Sequence, residues 1–360
     1  MKTMLVVGAT GVIGEACLAH FGALPDWRVI ALSRRIPDGL GHARHLALDL
    51  TDATACRAAA GELTEVTHVV YAAVSEQPGL VVGWRDPAQM ELNRAMLGNL
   101  LDSLVSARGL RHVTLLQGAK AYGAHAGIAP RLPAREREPR VEHPNFYWLQ
   151  EELLRDWARA HDLGWTVFRP GVIVGGAWGA VMNPLLAIGA YAAIRREESK
   201  SFAYPGGVPQ IGELVDAGLL AEAFAWAAEA PAARHETFNV TNGDVFAWRT
   251  AWPAIARTLG VETGPDEPLS LAAYLIERAD IWDRVVAREG LRALNLARFL
   301  GESHHYADVL LQKDATAIRL PTLLSTIKLR QAGFAACRDS EDVVCGWLAE
   351  MQARRLLPPA

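Results

Sequence analysis

Two side chains in this sequence are suited to holding negative charge on an oxygen: the phenol of Tyr147 and the ammonium of Lys120. Lys120 comes just after the apolar run His112-Val113-Thr114-Leu115-Leu116, and Tyr147 opens the segment Asn145-Phe146-Tyr147-Trp148. An ammonium beside a phenol lowers the phenol pKa and supplies positive charge where an oxyanion develops. That pairing suits stabilisation of an enolate. Taken singly, Lys120 reads as a solvated surface lysine and Tyr147 as a core aromatic. Their positions at two expected edges of one site are what join them.

A second set of residues binds rather than reacts. Gly8-Ala9-Thr10-Gly11-Val12-Ile13-Gly14 follows the apolar run Leu5-Val6-Val7, so the spacing G-x-x-G-x-x-G falls where a strand turns into a helix. Such a corner receives the pyrophosphate of a dinucleotide. Gly8 permits the turn, Gly11 clears space for the diphosphate and Gly14 lets the helix approach, with Thr10, Val12 and Ile13 completing the contact. The same spacing occurs in ordinary turns; its place directly after a strand selects the nucleotide reading.

The next apolar run, Arg28 to Leu32, ends in Ser33-Arg34-Arg35. Enzymes that choose NAD place an acid here to hold the ribose 2′-hydroxyl. One hydroxyl and two guanidinium groups instead favour a 2′-phosphate, hence NADPH, the alternative being a solvated arginine pair. Asp49 and Leu50, after a third run, are expected beside the adenine, although Asp49 also reads as a local cap. Small residues Ala72 and Ala73 within the fourth run, and Pro170 and Val172 after the sixth, complete the expected cofactor contacts.

The elements needed to position these residues are strands alternating with helices, which predicts an α/β fold: a Rossmann-type doubly wound parallel sheet. Predicted strands cover 45–48, 68–74, 112–116 and 165–168, with helices over 87–107 and from Asn145, a charged, proline-rich loop over 124–144, and a late strand at Thr237–Thr241 that rejoins the sheet. Residues 1–175 are expected to form the dinucleotide-binding domain, and residues 176–360 a smaller, mostly helical substrate lobe with helices over 247–259 and 269–299. The closing Leu-Leu-Pro-Pro-Ala reads as a tail. From Pro170 to Ile194 no residue is charged, but Gly175-Gly176, Gly179 and Asn183-Pro184 interrupt any membrane span. This stretch reads as a strand, a glycine loop and a helix from about Pro184 to Arg196.

Composition narrows the function. A net charge of -4 and a pI near 6.3 give no footprint for nucleic acid. Cys17, Cys56, Cys337 and Cys345 lack the spacing of a disulfide framework or zinc site, so no metal is expected and a reducing, cytoplasmic setting fits. No membrane partner is expected, and a homodimer is one oligomeric option.

Short-chain dehydrogenases normally carry Ser with Tyr and Lys spaced Y-x-x-x-K. Here Glu151 stands four residues after Tyr147, and Gln117-Gly118 replaces the Ser, which disfavours ordinary carbonyl reduction. With Leu32-Ser33-Arg34-Arg35, Gln117-Gly118-Ala119-Lys120-Ala121-Tyr122, Asn145-Phe146-Tyr147-Trp148, Met182-Asn183, Phe238 to Phe246 and Ser325 to Phe334, the chain resembles the progesterone 5β-reductase and iridoid synthase family of atypical (extended) short-chain dehydrogenases along nearly its whole length. The resemblance implies an NADPH-dependent ene-reductase acting on enones or enals, steroid and terpenoid ones included, with Tyr147 and Lys120 as the catalytic pair. The family pattern T-G-x-K-H-Y lacks its Thr and His here, which leaves the substrate open. Trp84, Phe146, Trp178, Met182, Asn183 and Tyr204 are the expected pocket walls for a small hydrophobic substrate. The alternatives are a carbonyl reductase or alcohol dehydrogenase, and a non-catalytic NADP(H)-binding sensor.

Overall fold

A computed structural model describes residues 1–128, 131–292 and 295–360. The loop expected over 124–144 and the helical stretch expected over 269–299 each include two residues, 129–130 and 293–294, outside that description.

Among the described residues nine strands form, β1 (Lys2–Val7), β2 (Trp27–Ser33), β3 (Arg44–Ala47), β4 (His68–Tyr71), β5 (His112–Leu116), β6 (Gly164–Pro170), β7 (Val172–Val174), β8 (Leu214–Asp216) and β9 (Glu236–Val240). Seven make one sheet in the order β3-β2-β1-β4-β5-β6-β9, with every pairing parallel. β7 and β8 pair separately. Parallel strands are covered on both faces, so they read as continuous apolar runs, and β1 is buried from Thr3 onward.

Alternate residues of β1 feed two cores. Leu5 and Val7 pack towards α3 (Pro87–Ser103) and α4 (Phe146–His161), while Met4 and Val6 pack towards α1 (Val12–Gly22) and α6 (Ala217–Glu229). Between these helices in chain order come α2 (Ala53–Ala58) and α5 (Pro184–Glu197).

The sheet order reverses between β1 and β4, and Val7 lies level with both Leu32 of β2 and Tyr71 of β4. Ligands of such sheets bind beyond the strand ends at that reversal. The predicted fourth strand is too long: β4 stops at Tyr71 because the chain then lifts towards α3, where the Asn93 side chain takes both the N–H and the carbonyl of Ser75 at 2.9 Å.

The uncharged stretch after β7 becomes α5, whose residues from Pro184 to Arg195 are all buried. Around it pack α7 (Trp248–Leu259), α8 (Leu271–Ile276), α9 (Ala279–Glu289), α10 (Leu296–Leu300) and α11 (Ser303–Leu311), with Trp252, Trp282 and Phe299 fully enclosed. Two further helices, α12 (Ile327–Gln331) and α13 (Ser340–Ala353), close the chain. The expected tail is instead part of this core: Leu356 and Leu357 are fully buried, and Leu357 lies against Gly189 of α5 so closely that a Cβ there would stand 2.6 Å from it. No helix among the described residues is long and apolar enough to cross a membrane.

Candidate active site

The glycine corner is built by close backbone approach. Gly8 has φ +86°, and a Cβ on it would stand 2.9 Å from the backbone at Ala72 and Ala73; one on Gly14 would fall 2.2 Å from the Gly8 carbonyl. α1 can therefore start directly against the turn. Gly11 caps it with no side-chain hydrogen bond, leaving first-turn N–H groups of an eleven-residue helix for an anion. A cradle that any side chain would fill, at the positive end of a helix, fits a dinucleotide diphosphate.

From this corner a cavity of about 530 Å³ runs along the strand ends. Every predicted cofactor contact lines it: Gly8, Thr10, Gly11, Val12, Ile13 and Gly14 at the corner, Ser33, Arg34, Arg35, Asp49 and Leu50 at the rim, and Ala72, Ala73, Pro170 and Val172 along the floor. The Ser33 hydroxyl donates to the Arg35 carbonyl at 2.6 Å, shaping the turn that leaves both guanidinium groups exposed. Asp49 accepts from the Thr51 N–H and hydroxyl, which with Arg34 holds its carboxyl below the usual range. The cap of α2 is Asp52.

Lys120 and Tyr147 line the same cavity. Asn145 ties their segments together: its side-chain oxygen caps α4 by accepting from the Tyr147 N–H at 3.1 Å, while its amide donates to the Lys120 carbonyl, also at 3.1 Å. Phe146 meets the Tyr147 ring edge-on at 4.7 Å, in a small buried cluster with Met90, Ala121 and Trp148. A Cβ on Gly118 would stand 3.3 Å from the Tyr147 hydroxyl.

The electrostatics differ from the sequence expectation. Burial pushes the Tyr147 phenol well above its ordinary value, and the nearby Glu76 and Tyr306 push it the same way, so it is a neutral hydrogen-bond donor rather than a phenol acidified by Lys120. The ammonium turns elsewhere: Lys120 Nζ lies 3.7 Å from the centre of the Trp84 ring and 3.8 Å from Glu76 Oε1. Burial draws its pKa down to about 8, against the pull of Glu76.

The expected lysine position is filled by Glu151, which lies outside this cavity. It accepts from Gln117 Nε2 at 2.8 Å and from Arg169 at 3.3 Å, pairs with Arg155, and lines a separate cavity of about 360 Å³. Gln117 also donates to the Tyr147 carbonyl at 3.2 Å and accepts from Arg169 Nε at 2.8 Å. The carboxylate thus braces α4 against β5 and β6 from behind.

Of the expected pocket walls, Trp84, Phe146 and Met182 line the cavity. Trp178, Asn183 and Tyr204 do not, which corrects that expectation. Trp178 donates to Asp38 Oδ2 at 3.3 Å; Asn183 is fully buried with its amide on the carbonyls of Gly175 and Ala177; Tyr204 packs edge-on against Trp252 in the helical core. Walls that sequence reasoning missed come from α11, as Tyr306, Val309 and Leu310, and from the segment after β4, as Glu76. No sequence-based expectation covers residues 303–311, and nothing in their sequence shows which ligand that helix meets. No group of three or more metal-binding side chains is found among the described residues.

The profile of the NAD dependent epimerase/dehydratase family matches residues 4–241. (S)-8-Oxocitronellyl enol synthase ISY1 of Nepeta cataria is 30% identical, over 98% of this chain and 92% of its own. The corresponding enzyme CYC2 of Camptotheca acuminata is 30% identical over 98% and 93%. Among solved structures, UDP-glucose 4-epimerase of Bifidobacterium longum with NAD+ and UDP aligns over 99% of both chains with a TM-score of 0.68 at 14% identity. The complex of Thermus thermophilus UDP-glucose 4-epimerase with NAD gives 0.65 at 18%, over 98% of this chain and 99% of that one. At those identities the structures show the fold alone, a Rossmann-type parallel sheet with its helical lobe. The chain belongs to the NAD dependent epimerase/dehydratase family and, within it, to the progesterone 5β-reductase and iridoid synthase-like group of atypical short-chain dehydrogenases/reductases, a group of oxidoreductase enzymes.

Proposed function

We propose that this chain is an NADPH-dependent ene-reductase that saturates the C=C bond of α,β-unsaturated ketones or aldehydes. The observation that carries this reading is that Tyr147 and Lys120 line one cavity with the glycine corner, while Glu151 occupies the expected lysine position in another. The related enzymes are named for making an enol of an oxo compound, the tautomer that hydride addition at the β-carbon leaves.

A reduced nicotinamide dinucleotide, held by the Gly8, Gly11 and Gly14 corner with Arg34 and Arg35 at the rim, would supply the hydride for the β-carbon. The Tyr147 phenol, neutral because it is buried, donates to the carbonyl oxygen and holds the negative charge that develops there as the enolate forms. Lys120 adds positive charge at the same end of the cavity. Trp84, Phe146 and Met182 enclose the apolar body of the substrate and keep water from the carbonyl. The proton that completes the α-carbon comes from solvent or through Tyr147. Arg34 and Arg35, exposed at the rim with no acid between them and Ser33, favour a 2′-phosphate and therefore NADPH. Residues 1–175, joined by β9, serve as the dinucleotide-binding domain, and residues 176–360 as mainly the substrate lobe.

The test is NADPH oxidation against small cyclic enones, linear enals and a steroid 4-en-3-one, with each product identified. A saturated carbonyl product supports the reading. Allylic alcohols point to carbonyl reduction instead, and tight dinucleotide binding without oxidation to a sensor.

A further inference from the structure

Burying an ammonium is costly unless something compensates its charge. Lys120 has a side chain only 16% exposed, and the compensation comes from one segment: the Trp84 face at 3.7 Å and the Glu76 carboxylate at 3.8 Å. Glu76 is itself the more deeply buried partner, with a side chain 1% exposed. Its two oxygens are treated differently. Oε2 accepts from Gln89 Nε2 at 2.8 Å, and Gln89 is anchored in turn because its own oxygen accepts from the Gln77 N–H at 2.8 Å. Oε1 is enclosed without a hydrogen-bond partner and is the oxygen nearest Lys120. The carboxylate is thus pinned to α3 on one side and leaves its free oxygen for the cation.

We propose that Glu76 is the positioning residue for Lys120: its buried carboxylate holds the ammonium charged and in place at the reacting end of the cavity. The inference rests on the reading of Lys120 as an active-site cation. The other titratable groups facing this end do not supply that charge. His125, from the loop after β5, is held neutral by burial and by Lys120 itself, its pKa drawn down to about 4. His143 from the same loop meets the Lys120 carbonyl at 3.0 Å rather than the ammonium. Tyr147 from α4 and Tyr306 from α11 are phenols pushed upward by burial. Glu302, before α11, accepts from the Gly79 N–H at 2.9 Å. Glu76 alone of these raises the pKa of Lys120; burial pushes the Glu76 carboxyl itself upward, and Lys120, Gln89 and Trp84 pull it back.

A carboxylate kept only to brace the segment between β4 and α3 would, on removal, lower stability and leave the titration of Lys120 untouched. The two roles separate by NMR on the full chain labelled with ¹³Cε-lysine. The sequence has five lysines, Lys2, Lys120, Lys200, Lys313 and Lys328, and the resonance missing from Lys120→Arg assigns the signal. In Glu76→Gln the Lys120 midpoint is expected to fall by about one pH unit or more, since an opposite charge at this range moves a pKa by roughly 1–3 units. Glu76→Asp, which keeps the charge, is expected to return most of the shift. A Lys120 midpoint unchanged in Glu76→Gln overturns the proposal.

If Glu76→Gln does not fold, the unsubstituted protein decides: its Lys120 resonance must show a second, acid inflection as Glu76 takes up its proton, and a signal flat through acid overturns the proposal. Turnover separates the two readings. If the NMR midpoint moves in Glu76→Gln while the alkaline limb of kcat stays put, Glu76 positions Lys120 and the assignment of Lys120 to the reaction is what fails.

Discussion

The hydroxyl of Tyr147 closes tightly on bare backbone at Gly118, where an added methyl would stand 3.3 Å from the phenol oxygen and crowd it. Bare backbone at 118 and a buried phenol from α4 are therefore one arrangement, and the donor it presents is the hydroxyl alone. Tyr147→Phe keeps the ring and its packing on Phe146 while deleting that donor. Loss of one oxyanion donor costs about a hundredfold or more in rate. Enone turnover should fall by that amount with dinucleotide affinity, read by fluorescence titration, unchanged; full activity in the variant would remove Tyr147 from the reaction.

Cofactor choice is expected to reside in the exposed pair after β2. A charge-assisted hydrogen bond contributes about 1.5–3 kcal/mol, roughly ten- to a hundredfold in binding. Arg34→Ala and Arg35→Ala should raise KM for NADPH on that scale and leave KM for NADH nearly constant. An equal loss for both dinucleotides would mean that the guanidinium groups do not read the 2′-phosphate.

Restoring the ordinary lysine spacing should not restore ordinary carbonyl chemistry. Glu151→Lys would set a third cation beside Arg155 and Arg169, outside the cofactor cavity, and break a pair whose side chains are about one-tenth exposed. Breaking such a buried pair costs about 3–5 kcal/mol. The variant should show a lower melting temperature and no allylic alcohol among its products; appearance of the alcohol would contradict the placement of Glu151 behind α4.

Stability should depend on pH through Glu213, whose carboxyl burial pushes up to about 7 although its Oε2 accepts from the Leu324 N–H at 2.6 Å. Its folded pKa lies above the ordinary value of 4.5, so between those values the folded chain holds a proton that the unfolded chain releases. Stability from this group is greatest in acid and declines as pH rises through that window. Glu213→Gln should therefore narrow the fall in melting temperature between about pH 5 and pH 8; an unchanged fall would exclude Glu213 as its source.

The parts of the site that lie close together in sequence were legible from the residues alone. The glycine corner, Ser33-Arg34-Arg35 and the strand ends all fall in the cavity because the motif and the strand periodicity fix local geometry. Residue type misled at Trp178, Asn183 and Tyr204: large or polar side chains in an apolar stretch serve equally as core, and Asn183 spends its amide on the carbonyls of its own loop. Glu76 gave no signal because it sits in irregular chain with no period, and its importance depends on Lys120, brought beside it by the β4–β5 pairing. The burial of Leu357 was hidden for the same reason, since its partner Gly189 is remote in sequence.

Hydride is expected at the β-carbon of the conjugated system and not at the carbonyl carbon. NADPH deuterated at the transferable position, turned over with an enal or enone, reads this directly by NMR of the product. The expected product is a saturated aldehyde or ketone with deuterium on the β-carbon. Deuterium on a carbinol carbon, with the C=C bond intact, would contradict it.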